Sequence, residues 1–380
     1  MTKKLRVGVL FGGRSGEHEV SLLSAASILK AIDRKKFEVM PIGIGKSGHW
    51  LTGGGAQALL AGGQQVSGAA DSAELPAPAA KDAVRALVPD AAGLGSGRLD
   101  VVFPVLHGTF GEDGTIQGLF ELADIAYVGS GVLGSAAGMD KDAMKRLFAQ
   151  ARLPIVKHVT VLRTGWDAAP RKTVAAIEAA LQYPMFVKPA NLGSSVGISK
   201  AHNRKELPAA LNMAARYDRK IVIEQGVGGA KKKARELEVA VLGNDDPKAS
   251  VVGEIIPGKE FYDYEAKYLS DASIPIIPAK ITAAESKQIR AMAVAAFRAC
   301  DLAGLARVDF LMEPDGKRRN YLNELNTMPG FTSISMYPKL WQASGVSYSE
   351  LITKLIELAL ERHRERGRTS FSFEEAGNRE

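Results

Sequence analysis

Two neighbouring stretches near the C-terminal end, ARVDFLM (Ala306–Met312) and RNYLNELN (Arg319–Asn326), decide the fold. Both mix apolar and polar residues in an alternating manner and contain β-branched or aromatic side chains, which predicts two β-strands. Only a few charged and small residues separate them, so we expect the strands to lie next to each other in one sheet. The polar side chains that they carry are therefore expected to meet.

Those polar side chains predict a site for phosphate chemistry. Arg307 and Asp309 are two residues apart, as are Glu324 and Asn326, so each pair faces one side of its strand. Carboxylate and amide oxygens are the ligands that Mg²⁺ prefers, and arginine suits the charge that develops during phosphoryl transfer. The simpler alternative is an exposed sheet face that carries a salt bridge.

A second stretch, KPANLGSSVGIS (Lys188–Ser199), follows the apolar run YPMFV and is rich in glycine and serine. Its backbone amides and hydroxyls can donate to phosphate oxygens, and Lys188 stands at the end of the preceding strand. We therefore predict a flap that folds over a polyphosphate. The alternative is an ordinary hairpin turn.

Two other glycine stretches do not match known nucleotide motifs. GIGKSG (Gly43–Gly48) would need a further glycine at the position of Met40 to form a P-loop. FGGRSG (Phe11–Gly16) lacks the spacing of the dinucleotide fingerprint. A glycine loop after a first strand nevertheless remains a suitable anion site, because its amides and the next helix N-terminus point to one place.

The N-terminal third alternates predicted strands and helices, which indicates an α/β layer with a largely parallel sheet. The strands are RVGVLFGG (Arg6–Gly13), FEVMPIGI (Phe37–Ile44) and VVFPVLH (Val101–His107), and a helix is predicted over Glu17–Ile32. The Gly-, Ala- and Pro-rich segment 51–98 is interpreted as a surface insertion with no role in chemistry, including at most a hairpin or short helix.

The remainder of the chain predicts two further blocks. The central block has the helices SAAGMDKDAMKRLFAQA and TVAAIEAAL and the strands LPIVKHVTVL, YPMFVKP and KIVIEQ. The last block has the strands ELEVAVLG, SVVGEIIP, ARVDFLME and RNYLNELN, with two long amphipathic helices. We predict domains over 1–129, 130–224 and 225–380, α/β in class with α+β character in the C-terminal parts.

Composition excludes several classes of protein. The chain has 380 residues and a net charge of +7. It has a single cysteine, Cys300, so no internal disulfide can form. No apolar run is long enough to span a membrane, and the N-terminus does not resemble a signal peptide. We therefore expect a cytoplasmic protein with no membrane partner.

A nucleic-acid binder is the alternative that the basic charge suggests. The dense basic runs of this chain are Lys231–Lys233 and ERHRERGR, and both are interpreted as solvated surface. No basic helix or patch of interleaved basic and aromatic residues accompanies them. No nucleic-acid partner is therefore expected.

The longer motifs resemble those of the D-alanine–D-alanine ligase family within the ATP-grasp superfamily. They are LFGGRSGEHEVS, LHGTFGEDG, GMDK, VKPANLGSSVGIS, FYDYEAKYLSD, ARVDF and NELNTMPGFTSISMYP. The resemblance covers essentially the whole chain except the insertion and the last dozen residues. It implies a three-domain ATP-grasp fold, with ATP held between the central and C-terminal domains beneath the flap, and it suggests a homodimer.

The resemblance also implies a reaction. The carboxylate of one D-alanine attacks the γ-phosphate of ATP to form an acylphosphate. The amine of a second D-alanine then attacks the acyl carbon, and phosphate leaves. The substrates are thus D-alanine and ATP, with two Mg²⁺ (or Mn²⁺), and the product is a precursor of peptidoglycan.

Residue roles in amino-acid binding follow from the matching motif positions. Glu17 is expected to hold the ammonium of the first D-alanine, and His107 its carboxylate. Ser194 and Tyr268 match the hydrogen-bonded partners of Glu17. Ser335 is expected to meet the carboxylate of the second D-alanine. Taken alone, Glu17 could simply complement a helix dipole, and His107 could be structural.

The other implied roles concern ATP, metal and the transition state. Arg307 and the Gly330 amide are expected to stabilise the oxyanion, and Asp309, Glu324 and Asn326 to bind the two Mg²⁺, with Glu324 bridging. The expected ATP contacts are Lys141, Lys188 and Lys267 with the phosphates, Ser195 in the flap, Glu224 with the adenine amino group, Glu236 with the ribose and Phe261 with the adenine face.

Two rival functions are weighed against this one. A relative that uses D-lactate or D-serine as second substrate would share the fold, but depsipeptide-forming relatives generally lack the tyrosine at Tyr268, so D-alanine is favoured. A nicotinamide-dependent oxidoreductase is suggested by the α/β opening, but the dinucleotide fingerprint is absent. If the protein is a dimer, the helix after Glu17 is the predicted interface.

Overall fold

The computed structural model describes residues 3–63, 99–229, 232–256, 274–314 and 318–370. Phe261, Lys267 and Tyr268 lie outside these ranges, as do Lys231 and most of the insertion. No helix within the described ranges is long and apolar enough to cross a membrane.

The N-terminal part is a five-stranded sheet flanked by helices, as the alternating pattern predicts. Its strands lie in the order β3-β2-β1-β4-β5, and all neighbours are parallel except β2 and β3. The elements are β1 (Leu5–Gly12), α1 (His18–Ala31), β2 (Phe37–Ile44), β3 (Trp50–Thr52), α2 (Gly53–Gly63), β4 (Val101–Val105), α3 (Thr115–Leu122) and β5 (Ala126–Tyr127).

The stretch GIGKSG and the start of the insertion have structural roles. Residues 45–49 form the turn between antiparallel β2 and β3, where Gly45 N donates to His49 O at 2.9 Å. Helix α2 then packs on β2, with Ala56 fully buried. The first part of the insertion therefore belongs to the fold and contains a short helix, as predicted. Residues 64–98 lie outside the described ranges.

The central part contains an antiparallel sheet of order β6-β9-β7-β8. Its elements are α4 (Val132–Met139), α5 (Lys141–Gln150), β6 (His158–Leu162), α6 (Arg163–Ala168), α7 (Pro170–Ala180), β7 (Met185–Pro189), β8 (Ser199–Ala201), α8 (Leu207–Ala215) and β9 (Lys220–Gln225). The predicted strand LPIVKHVTVL is shorter than expected, since only its second half pairs with β9.

The single helix predicted over SAAGMDKDAMKRLFAQA is wrong, because two helices meet at Asp140. Asp140 has an extended backbone and caps α5, its side chain accepting hydrogen bonds from the amides of Asp142 and Ala143. An aspartate before a helix offers its carboxylate to free amides of the first turn, which favours a new start over continuation.

The Gly/Ser stretch forms a loop of residues 190–198, the flap loop, which joins the antiparallel pair β7 and β8. It is a hairpin connection in topology, but its course is irregular. Ser194 and Ser195 have left-handed backbones, with φ of 49° and 59°. Such a conformation is uncommon for serine and turns the loop sharply.

The described residues of the C-terminal part form an antiparallel sheet of order β12-β11-β10-β13-β14 and three helices. The elements are β10 (Arg235–Gly243), β11 (Lys248–Ile256), β12 (Ile274–Ile276), α9 (Ala283–Ala299), β13 (Gly304–Met312), β14 (Asn320–Asn326), α10 (Met336–Ala343) and α11 (Tyr348–Arg366). Parallel and antiparallel sheets thus occupy different parts of the chain, as the predicted fold class states.

The strands that contain ARVDFLM and RNYLNELN, β13 and β14, pair as predicted. Arg307 lies opposite Asn326, and Asp309 lies opposite Glu324. A register shift follows Asp309, so the regular ladder changes immediately beyond these residues. All four side chains therefore lie on one face of the sheet.

The hydrophobic cores connect parts that are distant in sequence. Helix α11 packs on β4 and β5, and its Leu351 and Leu355 join a core shared with Val7 and Phe103 of the N-terminal sheet. Helix α5 contributes Met144 to the core beneath β10 and β13. The boundaries near 129 and 225 remain predictions, since packing crosses both.

Candidate active site

A cavity of about 380 Å³ opens where the three parts of the chain meet. It is bordered by the start of α1, the flap loop, β14 and the connection from β14 to α10. Many residues predicted from the sequence line it, namely Glu17, His107, Lys141, Ser194, Ser195, Arg307, Glu324, Asn326, Gly330 and Ser335. Residues as far apart in sequence as Glu17 and Ser335 are therefore brought to one place.

Glu17 lies at the junction between the N-terminal part and the flap loop. A Cβ atom at Gly193 would lie 3.1 Å from its Oε1, and one at Gly108 would lie 2.9 Å from its Oε2. Gly108 also has a left-handed backbone, with φ of 73°. Both neighbours are glycines because a side chain there would collide with the carboxylate, so the carboxylate is closely enclosed.

Ser194 is placed as the flap prediction requires. Its hydroxyl is buried against the cavity, and it has no hydrogen-bond partner among the described residues. A buried hydroxyl without a partner is costly, which indicates that a further group belongs beside it. Tyr268, the partner that the resemblance implies, lies outside the described ranges, so that contact remains a prediction.

The polar face of β13 and β14 is tightly connected. Arg307 donates to both carboxylate oxygens of Asp309, at 2.7 and 2.6 Å, and Asn326 Nδ2 donates to Asp309 Oδ2 at 3.0 Å. The arginine also lies 3.3 Å from Glu238 Oε2 on β10. The simpler alternative, a salt bridge on a sheet face, is thus part of the observed arrangement, but the face borders a cavity instead of open solvent.

These residues fit a hard divalent cation. Asp309, Glu324 and Asn326 supply carboxylate and amide oxygens from adjacent strands, the donor set that Mg²⁺ favours. Within the described ranges, no three His, Cys, Asp or Glu side chains are arranged as a metal site. Two carboxylates and an amide leave positions for phosphate oxygens and water, which is how Mg²⁺ usually binds a nucleotide.

A buried lysine–glutamate–lysine triad lies behind the cavity. Glu224 Oε1 is 2.7 Å from Lys145 Nζ, and Oε2 is 2.7 Å from Lys188 Nζ. Desolvation would raise the pKa of Glu224, but the two lysines outweigh it and lower the pKa to about 2. Glu224 does not line the cavity, so its expected contact with adenine remains a prediction.

Lys141 and Lys188 are the described members of the predicted phosphate-binding set. Both are buried; Lys141 Nζ donates to Leu192 O in the flap loop at 2.7 Å and lies 4.0 Å from Glu324 Oε2. Desolvation would lower the pKa of Lys188, but the carboxylates of Glu224 and Glu324 outweigh it and raise the pKa. Glu236, predicted for the ribose, lies on β10 and adds a smaller effect in the same direction. The lysines are therefore not ordinary surface groups.

Both ring nitrogens of His107 contact protein groups, and the residue lines the cavity. Its Nδ1 lies 2.9 Å from Met328 O, which can only accept, so this nitrogen carries the proton. Its Nε2 lies 3.1 Å from Ser24 Oγ and accepts from it. Burial lowers the pKa of His107 to about 4, so the ring is neutral near pH 7. The expected contact of His107 with a substrate carboxylate remains a prediction.

Ser335 and Gly330 lie on the connection from β14 to α10. Ser335 precedes α10, and its hydroxyl lies 2.8 Å from Thr332 Oγ1 and accepts from Thr332 N at 3.1 Å. Both residues line the cavity. Their expected contacts to the second amino acid and to an oxyanion remain predictions.

Sequence reasoning missed several residues. Glu238 lines the cavity and contacts Arg307, and its position two residues after Glu236 on a strand was an available signal. Glu112 also lines the cavity, within the motif LHGTFGEDG, for which only His107 was assigned a role. Lys145, fully buried on α5, is four residues after Lys141 and thus on the same helix face.

The predicted interface helix α1 has its apolar side buried in its own part of the chain. Val20, Leu22 and Ile28 are buried, and the exposed Leu23 borders the cavity. Those side chains already pack internally, and the suggestion that α1 supplies a dimer interface stays a prediction.

Comparison with known proteins gives the family. A model of the D-ala D-ala ligase N-terminus matches residues 6–130, and one of the D-ala D-ala ligase C-terminus matches residues 147–357. The chain is 50% identical over 374 residues to the D-alanine–D-alanine ligase of Natranaerobius thermophilus, covering 98% of this chain and 100% of that protein. The ligase of Heliobacterium modesticaldum is 51% identical over 373 residues, covering 97% and 98%.

Solved structures agree with this assignment. The D-alanine–D-alanine ligase from Coxiella burnetii superposes with a TM-score of 0.78 at 34% identity, covering 97% of each chain. VanG D-Ala:D-Ser ligase from Enterococcus faecalis superposes with a TM-score of 0.77 at 36% identity, covering 94% of this chain and 100% of that one. These matches contradict the oxidoreductase alternative. The chain belongs to the D-alanine–D-alanine ligase family of ATP-dependent ligases, with the ATP-grasp fold.

Proposed function

We propose that this enzyme joins two D-alanines to D-alanyl-D-alanine with hydrolysis of ATP to ADP and phosphate, for peptidoglycan precursor synthesis. One observation carries the proposal. Glu17 of the N-terminal part, the flap loop and the Arg307 face of β13 border a single cavity of about 380 Å³. Activation of a substrate carboxylate by ATP requires three things. These are a protein carboxylate that binds the substrate ammonium, a loop that covers the phosphates, and an arginine beside metal-binding carboxylates.

The first step is phosphoryl transfer to the first D-alanine. Glu17 holds its ammonium, so the carboxylate faces the β13–β14 side of the cavity. A carboxylate oxygen attacks the γ-phosphorus, the bond to the β-phosphate oxygen breaks, and ADP and an acylphosphate result. Lys141 and Lys188 neutralise phosphate charge, and Arg307 stabilises the transferring group.

The second step is formation of the amide bond. The carboxylate of the second D-alanine is held beside Ser335, and its amine, having lost a proton, attacks the acyl carbon. The resulting oxyanion is stabilised by Arg307 and the Gly330 amide. The carbon–oxygen bond to phosphate then breaks, and phosphate and the dipeptide are released.

Asp309, Glu324 and Asn326 would hold Mg²⁺, which supplies neutralisation of the phosphate charge when bound. The flap loop protects the acylphosphate from water, because Gly193 adjoins Glu17 and Lys141 holds Leu192 O. A hydroxyl from Tyr268 would satisfy Ser194 and complete the enclosure. Because these side chains come from all three parts of the chain, the site is complete only when the parts are closed together.

The proposal is tested by phosphate release from the purified protein with ATP and Mg²⁺. Release is expected with D-alanine alone, together with a dipeptide in the mass spectrum, and none is expected with L-alanine. Absence of release with every amino acid would contradict the proposal and mean that the site activates another acid.

A D-alanine–D-serine ligase is the second candidate, because VanG D-Ala:D-Ser ligase superposes about as well as the Coxiella enzyme. Tyr268 argues for D-alanine as the second substrate. Competition at pH 7 between D-alanine and either D-serine or D-lactate discriminates these functions. Mixed product in excess of D-alanyl-D-alanine would overturn the choice of second substrate while keeping the ligase assignment.

We further propose a cytoplasmic homodimer that associates through α3 and α4. Leu119 and Leu122 lie three residues apart on one side of α3 and are exposed, Leu122 to 90%, while Leu133 on neighbouring α4 is exposed to 65%. Neighbouring exposed leucines are unusual on a monomer and typical of an interface.

Substituting Leu122→Asp is therefore expected to convert the dimer to a monomer, because a charge would be buried at the contact. Light scattering after size exclusion measures the mass. Leu162→Asp is the matched control, since Leu162 is an exposed leucine (47%) in the central part. A wild-type monomer, or a variant that remains dimeric, would contradict this interface.

A further inference from the structure

The connection that carries Gly330 is held in place from outside its own part of the chain. Residues 327–331, which we call the oxyanion loop, follow β14 and border the cavity. Side chains from α1 and from the loop after β4 donate to or accept from its backbone. The loop that presents the proposed oxyanion donor is thus shaped by the N-terminal part.

Glu112 makes the most extensive of these contacts. Its Oε2 accepts from Met328 N at 2.9 Å and from Thr327 Oγ1 at 3.3 Å, while Oε1 accepts from Gly108 N at 2.9 Å. The two carboxylate oxygens therefore join the loop after β4 to the oxyanion loop. Carboxylate hydrogen bonds of this kind are stronger than those between neutral groups.

His107 and Ser24 hold the remaining backbone groups. His107 Nδ1 donates to Met328 O, so the N–H and the C=O of Met328 are both bound by the N-terminal part. Ser24 Oγ, fully buried, accepts from Phe331 N at 3.2 Å and donates to His107 Nε2. The backbone is therefore fixed on both sides of Gly330.

We propose that Glu112 is a positioning residue for amide-bond formation, which with Ser24 sets the Gly330 amide at the distance the oxyanion requires. The proposal rests on the proposed function, since it assigns the Gly330 amide to the oxyanion. An oxyanion donor must be preorganised, and displacement by about 1 Å can cost roughly 100-fold in rate. Neither side chain needs to touch substrate to have this effect.

The two half-reactions should respond differently. The oxyanion forms only when the second amine attacks the acyl carbon, after the acylphosphate exists. Loss of the positioning contacts should therefore slow amide formation and leave phosphoryl transfer largely intact. A general loss of structure would instead affect both steps and the binding of ATP.

The test is the variant Glu112→Gln, because a single amide oxygen cannot accept from both Gly108 N and Met328 N. Dipeptide formation measures the whole reaction, and positional exchange of ¹⁸O between the βγ-bridge and the β-phosphate of ATP in the presence of D-alanine measures reversible acylphosphate formation. We expect kcat for dipeptide to fall roughly 10- to 100-fold, with unchanged KM for ATP and retained isotope exchange.

Asp113→Asn is the matched control, since the partners of Asp113 among the described residues are Phe110 N and Thr115 N of its own loop. Its kcat should stay within about twofold of wild type, as expected for a residue without contact to the oxyanion loop. Ser24→Ala removes the acceptor for Phe331 N and should also slow dipeptide formation more than isotope exchange. It takes the place of Glu112→Gln if that variant does not fold.

Two results would overturn the inference. One is a normal kcat in Glu112→Gln and Ser24→Ala, and the other is an equal fall in isotope exchange and dipeptide formation. Both differ from failure of the proposed function, in which the wild-type protein itself would form no dipeptide.

Discussion

Replacing Glu324 by glutamine is expected to lower kcat at least about 10³-fold while leaving the protein folded. Glu324 lies opposite Asp309 on the cavity face and 4.0 Å from Lys141. The substitution removes the negative charge that would hold Mg²⁺ and keeps the size of the side chain. Several kcal/mol of transition-state stabilisation by a metal ion corresponds to a factor of this size.

Phosphate release as a function of Mg²⁺ concentration measures the effect, and thermal unfolding checks the fold. Glu313→Gln is the control, because Glu313 directly follows β13 and lies away from the cavity, where its Oε1 accepts from Tyr321 OH at 3.1 Å. It should retain nearly full activity. Near-normal turnover of Glu324→Gln, at the same Mg²⁺ requirement as wild type, would contradict the metal assignment.

Replacing Lys145 by methionine is expected to destabilise the protein by about 3–5 kcal/mol, because it leaves a buried carboxylate with one of its two cations. The ammonium of Lys145 is fully buried, 2.7 Å from Glu224 Oε1, and the same carboxylate contacts Lys188. ATP affinity should fall as well, since Lys188 and Glu224 adjoin the proposed nucleotide site. Urea unfolding measures the free energy of unfolding.

The pH dependence gives an independent test of the same triad. The pKa of Glu224 is lowered to about 2 in the folded protein, so its ion pairs stabilise the fold above about pH 4.5 and are lost as pH falls towards 2. The difference in unfolding free energy between wild type and Lys145→Met should therefore be largest at pH 7 and shrink below about pH 4.5.

Lys172→Met is the control for this prediction, since Lys172 is an exposed lysine on α7. Its effect on the free energy of unfolding should stay within about 0.5 kcal/mol. A Lys145→Met variant as stable as the control, or a difference that does not vary with pH, would show that the triad does not stabilise the fold.

The sequence is most informative where a simple period determines geometry. Residues two apart on a strand must share a face, so the spacing of Arg307, Asp309, Glu324 and Asn326 is enough to predict that they lie together. The loop between β7 and β8 is likewise predictable, because glycine and serine after an apolar strand indicate a turn, although this composition alone does not separate a flap from an ordinary hairpin. The resemblance then links these local patterns to a cavity that no local pattern defines.

Contacts between distant segments cannot be predicted in this way. Nothing in the spacing of Glu112 or Ser24 reveals that they bind the backbone around residue 330, because these contacts depend on how the parts of the chain dock. The helix break at Asp140 escapes prediction for a different reason. Most of the surrounding residues favour helix, and the hydrogen bonds made by the aspartate show that a new helix starts there.

Helix α11 has a consequence for how the protein is made. Leu351 and Leu355 complete the core of the N-terminal sheet, and the ring of Tyr127 lies 4.2 Å from the guanidinium carbon of Arg362. A nascent chain emerging from the ribosome must therefore keep this first-made sheet partly uncovered until synthesis is almost finished. Truncation before α11 should leave an aggregation-prone product, even though every proposed active-site residue would still be present.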